Sequence, residues 1–211
     1  MDIYQLYISG WHQGRDKKFR IVGRKGTKEF FQNMLKAFKN ELQGRVQWEQ
    51  RPNKDGLDYE IIEINSDYTY KNLDLEITPF EVDHYPVDPA YGYQIKVLDT
   101  VKEKKVVISG DTRKNENLIT HAMDADALVH EVFINLEFDE KRMSKKTIFN
   151  VRDYHTSPKE IGEIAKAANV KKLILTHFVP PVFDEVFLTK EIRESYMGNV
   201  IIGEDLLTIE I

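Results

Sequence analysis

Three short, strongly apolar runs punctuate the second half of the chain, and they restrict its fold more than any other feature. They are KVVIS at residues 105–109, the run at 127–132 and the run at 173–176. Each has the length and β-branched content of a buried strand, and helical stretches at 116–123 and 159–168 separate them. The second helix carries a start signal of its own: Ser157 as cap, Pro158 in the first turn and Glu160 three residues after the cap, a capping box. Asn169 marks its end. Strands that alternate with helices imply parallel crossovers, and such sheets collect their chemistry at the carboxyl ends of the strands.

The first half is less regular. Residues 3–8 place Ile3, Leu6 and Tyr7 at helical spacing, a brief strand follows at 19–22, and a stronger amphipathic helix runs over 28–38 with Thr27 as its cap. Residues 46–98 alternate in strand fashion, giving strands at 59–64, 73–82 and 93–98. A helix near 190–196 and a hairpin around 203–205 close the chain. With no repeat, low-complexity tract or linker, the expectation is one α/β domain over residues 1–211.

Composition narrows the function classes. The chain has no cysteine, which removes disulfide scaffolds, thiolate metal sites and cysteine nucleophiles. A formal charge of −5 gives no general attraction to nucleic acid. The basic clusters at 15–20, 102–105 and 141–146 read as solvated edges and loops. No apolar run reaches spanning length and the amino terminus lacks a signal-peptide pattern, so the expected address is cytoplasmic and no membrane partner is expected.

The strand ends hold the candidate chemistry. Residues 73–82 run into Asp83-His84, the 105–109 strand into Gly110-Asp111-Thr112, and the 127–129 segment into His130-Glu131. The capped helix follows His155-Thr156-Ser157, and the third strand runs into Thr176-His177. Four of the six histidines thus gather with two carboxylates on one rim, and imidazole with carboxylate is the donor set of Zn²⁺ and related ions. His12 and His121 lack such placement. Gly23 and Gly26 do not have the spacing of a phosphate loop and read as turn formers.

Two long stretches carry a family resemblance. SGDTRKNENLITHAMDADALVHEVF followed by HTSPKEIGEIAKAANVKKLILTHFVPP resembles the carboxy-terminal half of the metallo-β-lactamase fold, in its ribonuclease Z-like branch. VDHYPVDPAYGYQI is similar to the segment that supplies a further metal-binding histidine there. The resemblance implies an αββα sandwich and a metal-dependent hydrolase, with a phosphodiester as the favoured substrate. It makes Asp111 a bridging carboxylate between two ions and His84 and His177 ligands of one ion each. His155 becomes the residue that protonates the leaving group and Glu131 the residue that orients it. The ions would be divalent, Zn first, with Mn or Fe as alternatives.

The HxHxDH motif of that family is absent from this sequence. Met1 falls where the motif would end, so the expectation is a chain lacking the first strands of one sheet. It would carry part of a dinuclear site, bind at most one ion, be poorly active alone and tend to associate, a homodimer included. A non-catalytic binding or regulatory member of the same fold is the competing reading. No basic, Gly/Pro-rich insertion of the kind that grips transfer RNA is present, which leaves nucleic-acid and small-molecule diesters both open as substrates.

Overall fold

A computed structural model of the chain describes residues 2–65, 67–98, 103–134 and 143–211. It divides into two compact units, Met1–Asn65 and Ser66–Ile211.

The first unit contains α1 (Asp2–His12), β1 (Phe19–Arg24), α2 (Thr27–Ala37), α3 (Lys39–Glu49), a 3-10 turn (Lys54–Leu57) and β2 (Tyr59–Ile64). β1 and β2 pair in parallel from Phe19 opposite Tyr59 to Arg24 opposite Ile64. Tyr7, Trp11 and Phe31 form the centre of its core. The Arg15 guanidinium lies over the Phe19 ring and donates to the carbonyls of Tyr7 and Gly56, both at 2.8 Å. The start of α2 differs from the sequence expectation. Gly26, not Thr27, occupies the cap position, and the cap itself comes from β2. A Glu63 carboxylate oxygen accepts the backbone N–H groups of Gly26 and Lys28 at 2.8 and 3.0 Å, while the Thr27 hydroxyl turns back to the Arg24 carbonyl. Residues 46–49, the start of the stretch read as alternating in strand fashion, belong to α3. That helix buries none of its residues, so no apolar stripe betrays it, and Arg45 braces it through Glu41 and Glu49.

The second unit is built on a seven-stranded sheet. Its strands are β3 (Tyr70–Lys71), β4 (Leu75–His84), β5 (Val87–Val97), β6 (Lys104–Ile108), β7 (Ala127–Phe133), β8 (Lys172–Val179) and β9 (Asn199–Ile202), side by side in that order. β3 to β6 pair antiparallel and β6 to β9 parallel. The connections between the parallel strands carry α4 (Glu116–Ala122), α5 (Lys145–Asp153), α6 (Pro158–Ala167) and α7 (Glu185–Arg193). The mixed α/β class expected from the sequence is therefore the observed one. Two local readings change. The end of the chain is not a hairpin, because β9 joins β8 in parallel. The basic cluster at 141–146, expected in a solvated edge or loop, lies partly outside the described residues, and its described portion leads into α5, capped by Ser144.

The core of this unit lies where Leu118, Ile161, Ile164, Leu188 and Ile192 of the helices meet Val107, Leu128, Leu173 and Leu175 of the strands. Each such side chain contributes about 1.5–3 kcal/mol on full burial. The α6–α7 contact is set by a residue without a side chain: a Cβ on Gly162 would sit 2.4 Å from the Ile192 carbonyl oxygen. Gly162→Ala should therefore destabilise the chain by about 1–3 kcal/mol, since helix backbones must move apart. Urea unfolding followed by circular dichroism measures this.

His121 of α4 is a packing residue, its ring stacked on Phe80 at 4.2 Å and 7°. Burial pulls its imidazole below the ordinary value of 6.5, and Lys105 lowers it further. The unfolded chain then takes up the proton first. Stability contributed here is complete above pH 6.5 and declines as pH falls below that value towards the folded pKa. Replacing His121 with Gln should flatten the loss of urea stability between about pH 7 and 5.

Candidate active site

The carboxyl ends of β4, β6, β7 and β8 bring the expected residues together through departures from regular structure. At β4, the pairing with β5 shifts between Val82 and His84, where Asp88 and Pro89 stand opposite Asp83 alone. Beyond β6, Gly110 takes φ +63, and a Cβ there would lie 2.7 Å from the Tyr91 carbonyl oxygen. Only glycine tolerates both demands, and the turn it permits presents Asp111. On β8, Glu131 pairs with Thr176 and Val132 pairs with Phe178, so His177 is an extra, unpaired residue in the ladder. His177 has φ +47, a left-handed conformation that costs a residue with a side chain about 1–3 kcal/mol. A bulge of this kind re-aims one side chain while the strand on either side keeps its place.

These irregularities converge on Asp111. Its Oδ2 lies 3.4 Å from His177 Nε2 and 3.9 Å from His84 Nε2. The tautomer of His84 follows from its other nitrogen: Nδ1 is 2.9 Å from the Tyr154 carbonyl oxygen, which can only accept. Nδ1 therefore carries the hydrogen and Nε2 faces Asp111 with a free lone pair, the arrangement metal-binding imidazoles need.

Beside this group stands a buried pair. His155 Nδ1 donates to Glu131 Oε2 at 3.0 Å. Glu131, 1% exposed, also accepts the Thr156 backbone N–H on Oε1 at 2.8 Å, with the Thr112 N–H at 3.5 Å. The Thr156 hydroxyl in turn donates to the Thr112 carbonyl at 2.5 Å. The His155 ring centroid lies 5.2 Å from that of His84 and 5.8 Å from that of His177. A cavity of about 570 Å³ opens next to His155, with Arg113, Lys114, Phe133 and Arg152 in its wall.

Three of the four rim histidines thus meet, and the fourth does not. His130 lies within β7 rather than at its end. It is fully buried, its Nδ1 lies 2.6 Å from the Glu131 carbonyl oxygen and its Nε2 has no hydrogen-bond partner. Burial pushes its pKa below the ordinary histidine value. Alternation along the strand explains the difference, because adjacent residues point to opposite faces and Glu131 takes the site face. Sequence reading missed Tyr154, whose carbonyl orients His84 and whose ring lies 5.0 Å from the His84 ring. A backbone contact of this kind leaves no trace in residue type.

Among the described residues, no three His, Asp, Glu or Cys side chains are already gathered at the spacing of a metal site. The donor types nevertheless fit a divalent cation. Two donors about 2.1 Å from one tetrahedral ion stand about 3.4 Å apart. The His177–Asp111 separation matches that figure and the His84–Asp111 separation exceeds it by half an ångström.

Comparisons with known proteins identify the family and the fold. Residues 14–178 match the family model described as "Beta-lactamase superfamily domain", and the chain belongs to that family. A ribonuclease Z from Mycolicibacterium gilvum (strain PYR-GCK) is 33% identical over 164 residues, covering 76% of this chain and 54% of the relative. A ribonuclease Z from Mycobacterium sp. (strain KMS) is 28% identical over 215 residues, covering all of this chain and 73% of the relative. The chain thus spans between about half and three quarters of the length of these two relatives, and they support its place in the ribonuclease Z-like branch. Among solved structures, the metallo-β-lactamase fold protein YhfI from Bacillus subtilis superposes with a TM-score of 0.63 at 22% identity, covering 96% of this chain and 69% of the other. Human tRNase Z, short form, superposes with a TM-score of 0.53 at 19% identity, covering 92% and 68%. Both share the fold.

Glu131 makes the site's first test a structural one. Glu131→Ala should cost about 2–5 kcal/mol, because it leaves buried donors on Thr156 and His155 unpaired. Glu131→Gln, which keeps an acceptor oxygen, should cost clearly less. Thermal unfolding of the two variants side by side reads the difference.

Proposed function

We propose that the chain acts as a metal-dependent hydrolase of phosphodiesters, of the ribonuclease Z-like kind. His84, Asp111 and His177 would hold a divalent cation, and His155 with Glu131 would manage the proton of the leaving group. The observation that carries this reading is the approach of two imidazole Nε2 atoms to a single oxygen of Asp111, with the Glu131–His155 pair alongside. The family match and the ribonuclease Z relatives support it. A single family model that runs through residues 14–178, across both units, also supports treating them as one functional domain.

When bound, a divalent ion supplies Lewis acidity at a phosphoryl oxygen and makes water nucleophilic near neutral pH. The remaining work belongs to the chain. Asp111 offsets part of the cation's charge, and His84 offers Nε2 because the Tyr154 carbonyl holds its Nδ1–H. His155 has its Nδ1–H on Glu131, so Nε2 is the atom that can carry a proton to a departing oxygen. Glu131 stabilises the positive ring that this requires, the same service a buried carboxylate gives a catalytic histidine elsewhere. The donor set suits Zn, Mn and Fe, with Zn as the first choice. Substrates are RNA or a smaller diester entering beside His155, where Arg113, Lys114 and Arg152 line the cavity.

The test uses the full 211-residue chain, stripped with a chelator and titrated with Zn²⁺ or Mn²⁺. Hydrolysis of bis(p-nitrophenyl) phosphate and of a precursor transfer RNA is followed in parallel. Weak but metal-dependent turnover with about one ion per chain is expected, the number that one carboxylate and two imidazoles can hold. Asp111→Ala should abolish both metal uptake and turnover. His155→Ala should lower turnover about 10²-fold or more and leave metal uptake unchanged. A wild-type chain that takes up no metal, or Asp111→Ala with unaltered uptake, would favour a non-catalytic binding role instead.

A further inference from the structure

Arg113 neither holds the ion nor moves the proton in the chemistry above, and besides lining the cavity it joins the two segments on which that chemistry stands. Its Nη1 donates to Asp83 Oδ1 at 2.7 Å and its Nη2 to Asp153 Oδ2 at 2.8 Å. Nη2 also reaches the Tyr85 carbonyl at 3.3 Å, and the Arg113 backbone N–H donates to the Asp83 carbonyl at 2.8 Å. Asp83 and Tyr85 flank His84 in sequence. Asp153 immediately precedes Tyr154, whose carbonyl receives the His84 Nδ1–H, and His155. A planar guanidinium thus grips the chain on both sides of His84 and, with its other edge, the segment that supplies the hydrogen bond to His84.

Both carboxylates are more than half exposed, so these ion pairs add little to global stability. What they supply is geometry. A guanidinium presents its donors from separate nitrogens in a rigid fork, whereas an ammonium carries all three donors on one nitrogen at the end of a flexible stem and fixes no such geometry.

We propose that Arg113 is a positioning residue for His84: by bridging Asp83 to Asp153 it keeps the His84 Nδ1–H on the Tyr154 carbonyl and the Nε2 lone pair facing Asp111. Its consequence for turnover rests on the metal-hydrolase reading. The positioning itself does not, and it is observable in metal-free protein.

Arg113→Lys and Arg113→Met are compared with the wild-type full chain, with Asp153→Ala, which removes the acceptor, as an independent way to cut the bridge. In metal-free samples, ¹⁵N-detected imidazole spectra should show His84 as a single Nδ1–H tautomer in the wild type and as a mixture in all three variants. Metal affinity should fall about 10-fold or more, the usual cost of losing support behind a ligand. The fall in kcat should exceed any change in KM, and Arg113→Lys should rescue little despite keeping the charge. A wild-type His84 tautomer in folded Arg113→Lys and Asp153→Ala overturns the proposal. So does a rise in KM alone, which would make Arg113 a substrate contact, or a fall in melting temperature with tautomer and affinity unchanged. If the wild type takes up no metal but the variants still mix the His84 tautomers, the positioning stands and the hydrolase reading fails.

Discussion

A carboxylate removed from water must be met by donors fixed in place, and the second unit is arranged around one that is. Glu131 sits inside β7, 1% exposed, and the groups that satisfy it come from two other parts of the chain. The turn after residue 154 brings the Thr156 N–H and the His155 ring, and the loop after β6 brings the Thr112 N–H. Thr156 then ties those two segments to each other through the Thr112 carbonyl. Asp111 and His155 therefore take their positions from the same buried charge. An isolated buried carboxylate would be severely unfavourable, so the three segments cannot drift apart without exposing that cost.

The opposite ends of the same strands show the contrast. There Asp126 accepts the Lys105 backbone N–H at 2.9 Å and the Lys171 ammonium at 2.6 Å, linking β6, β7 and the entrance to β8. Backbone and lysine donors saturate that carboxylate with no imidazole among them. Two acidic residues five positions apart, one just before β7 and one within it, thus serve different ends: Asp126 aligns strands, while Glu131 holds an imidazole beside a cavity.

Much of this was legible in the sequence, and the exceptions share a cause. The buried runs of β6, β7 and β8 and the capping box of α6 are local signals, complete within a few residues, and they appear where expected. His84, Asp111 and His177, read at strand ends, and His155, read before the capped helix, lie beside one another in the structure. The misreadings involve partners distant in sequence or surfaces without pattern. The cap of α2 is supplied by Glu63, far along the chain from Gly26. No residue of α3 or α5 is fully buried, and α3 shows no apolar stripe at all. His130 shares a dipeptide with Glu131, yet the pleat turns it away from the rim, and only the register of β7 against its neighbours reveals which of the two faces inward.

The bulge at His177 has a consequence for how such a sheet can change over evolutionary time. Because His177 is the surplus residue between Thr176 and Phe178, both of which are paired, losing that one codon would restore an uninterrupted ladder. The left-handed backbone would go with it, and the apolar residues on either side would keep their partners. A deletion, usually the harshest of small mutations inside a strand, would here relax the backbone and remove a single imidazole from the rim. In a fold wired this way, a rim with three gathered imidazoles and a rim with two lie one in-frame deletion apart, and keeping the extra residue is a continuing sacrifice of backbone regularity.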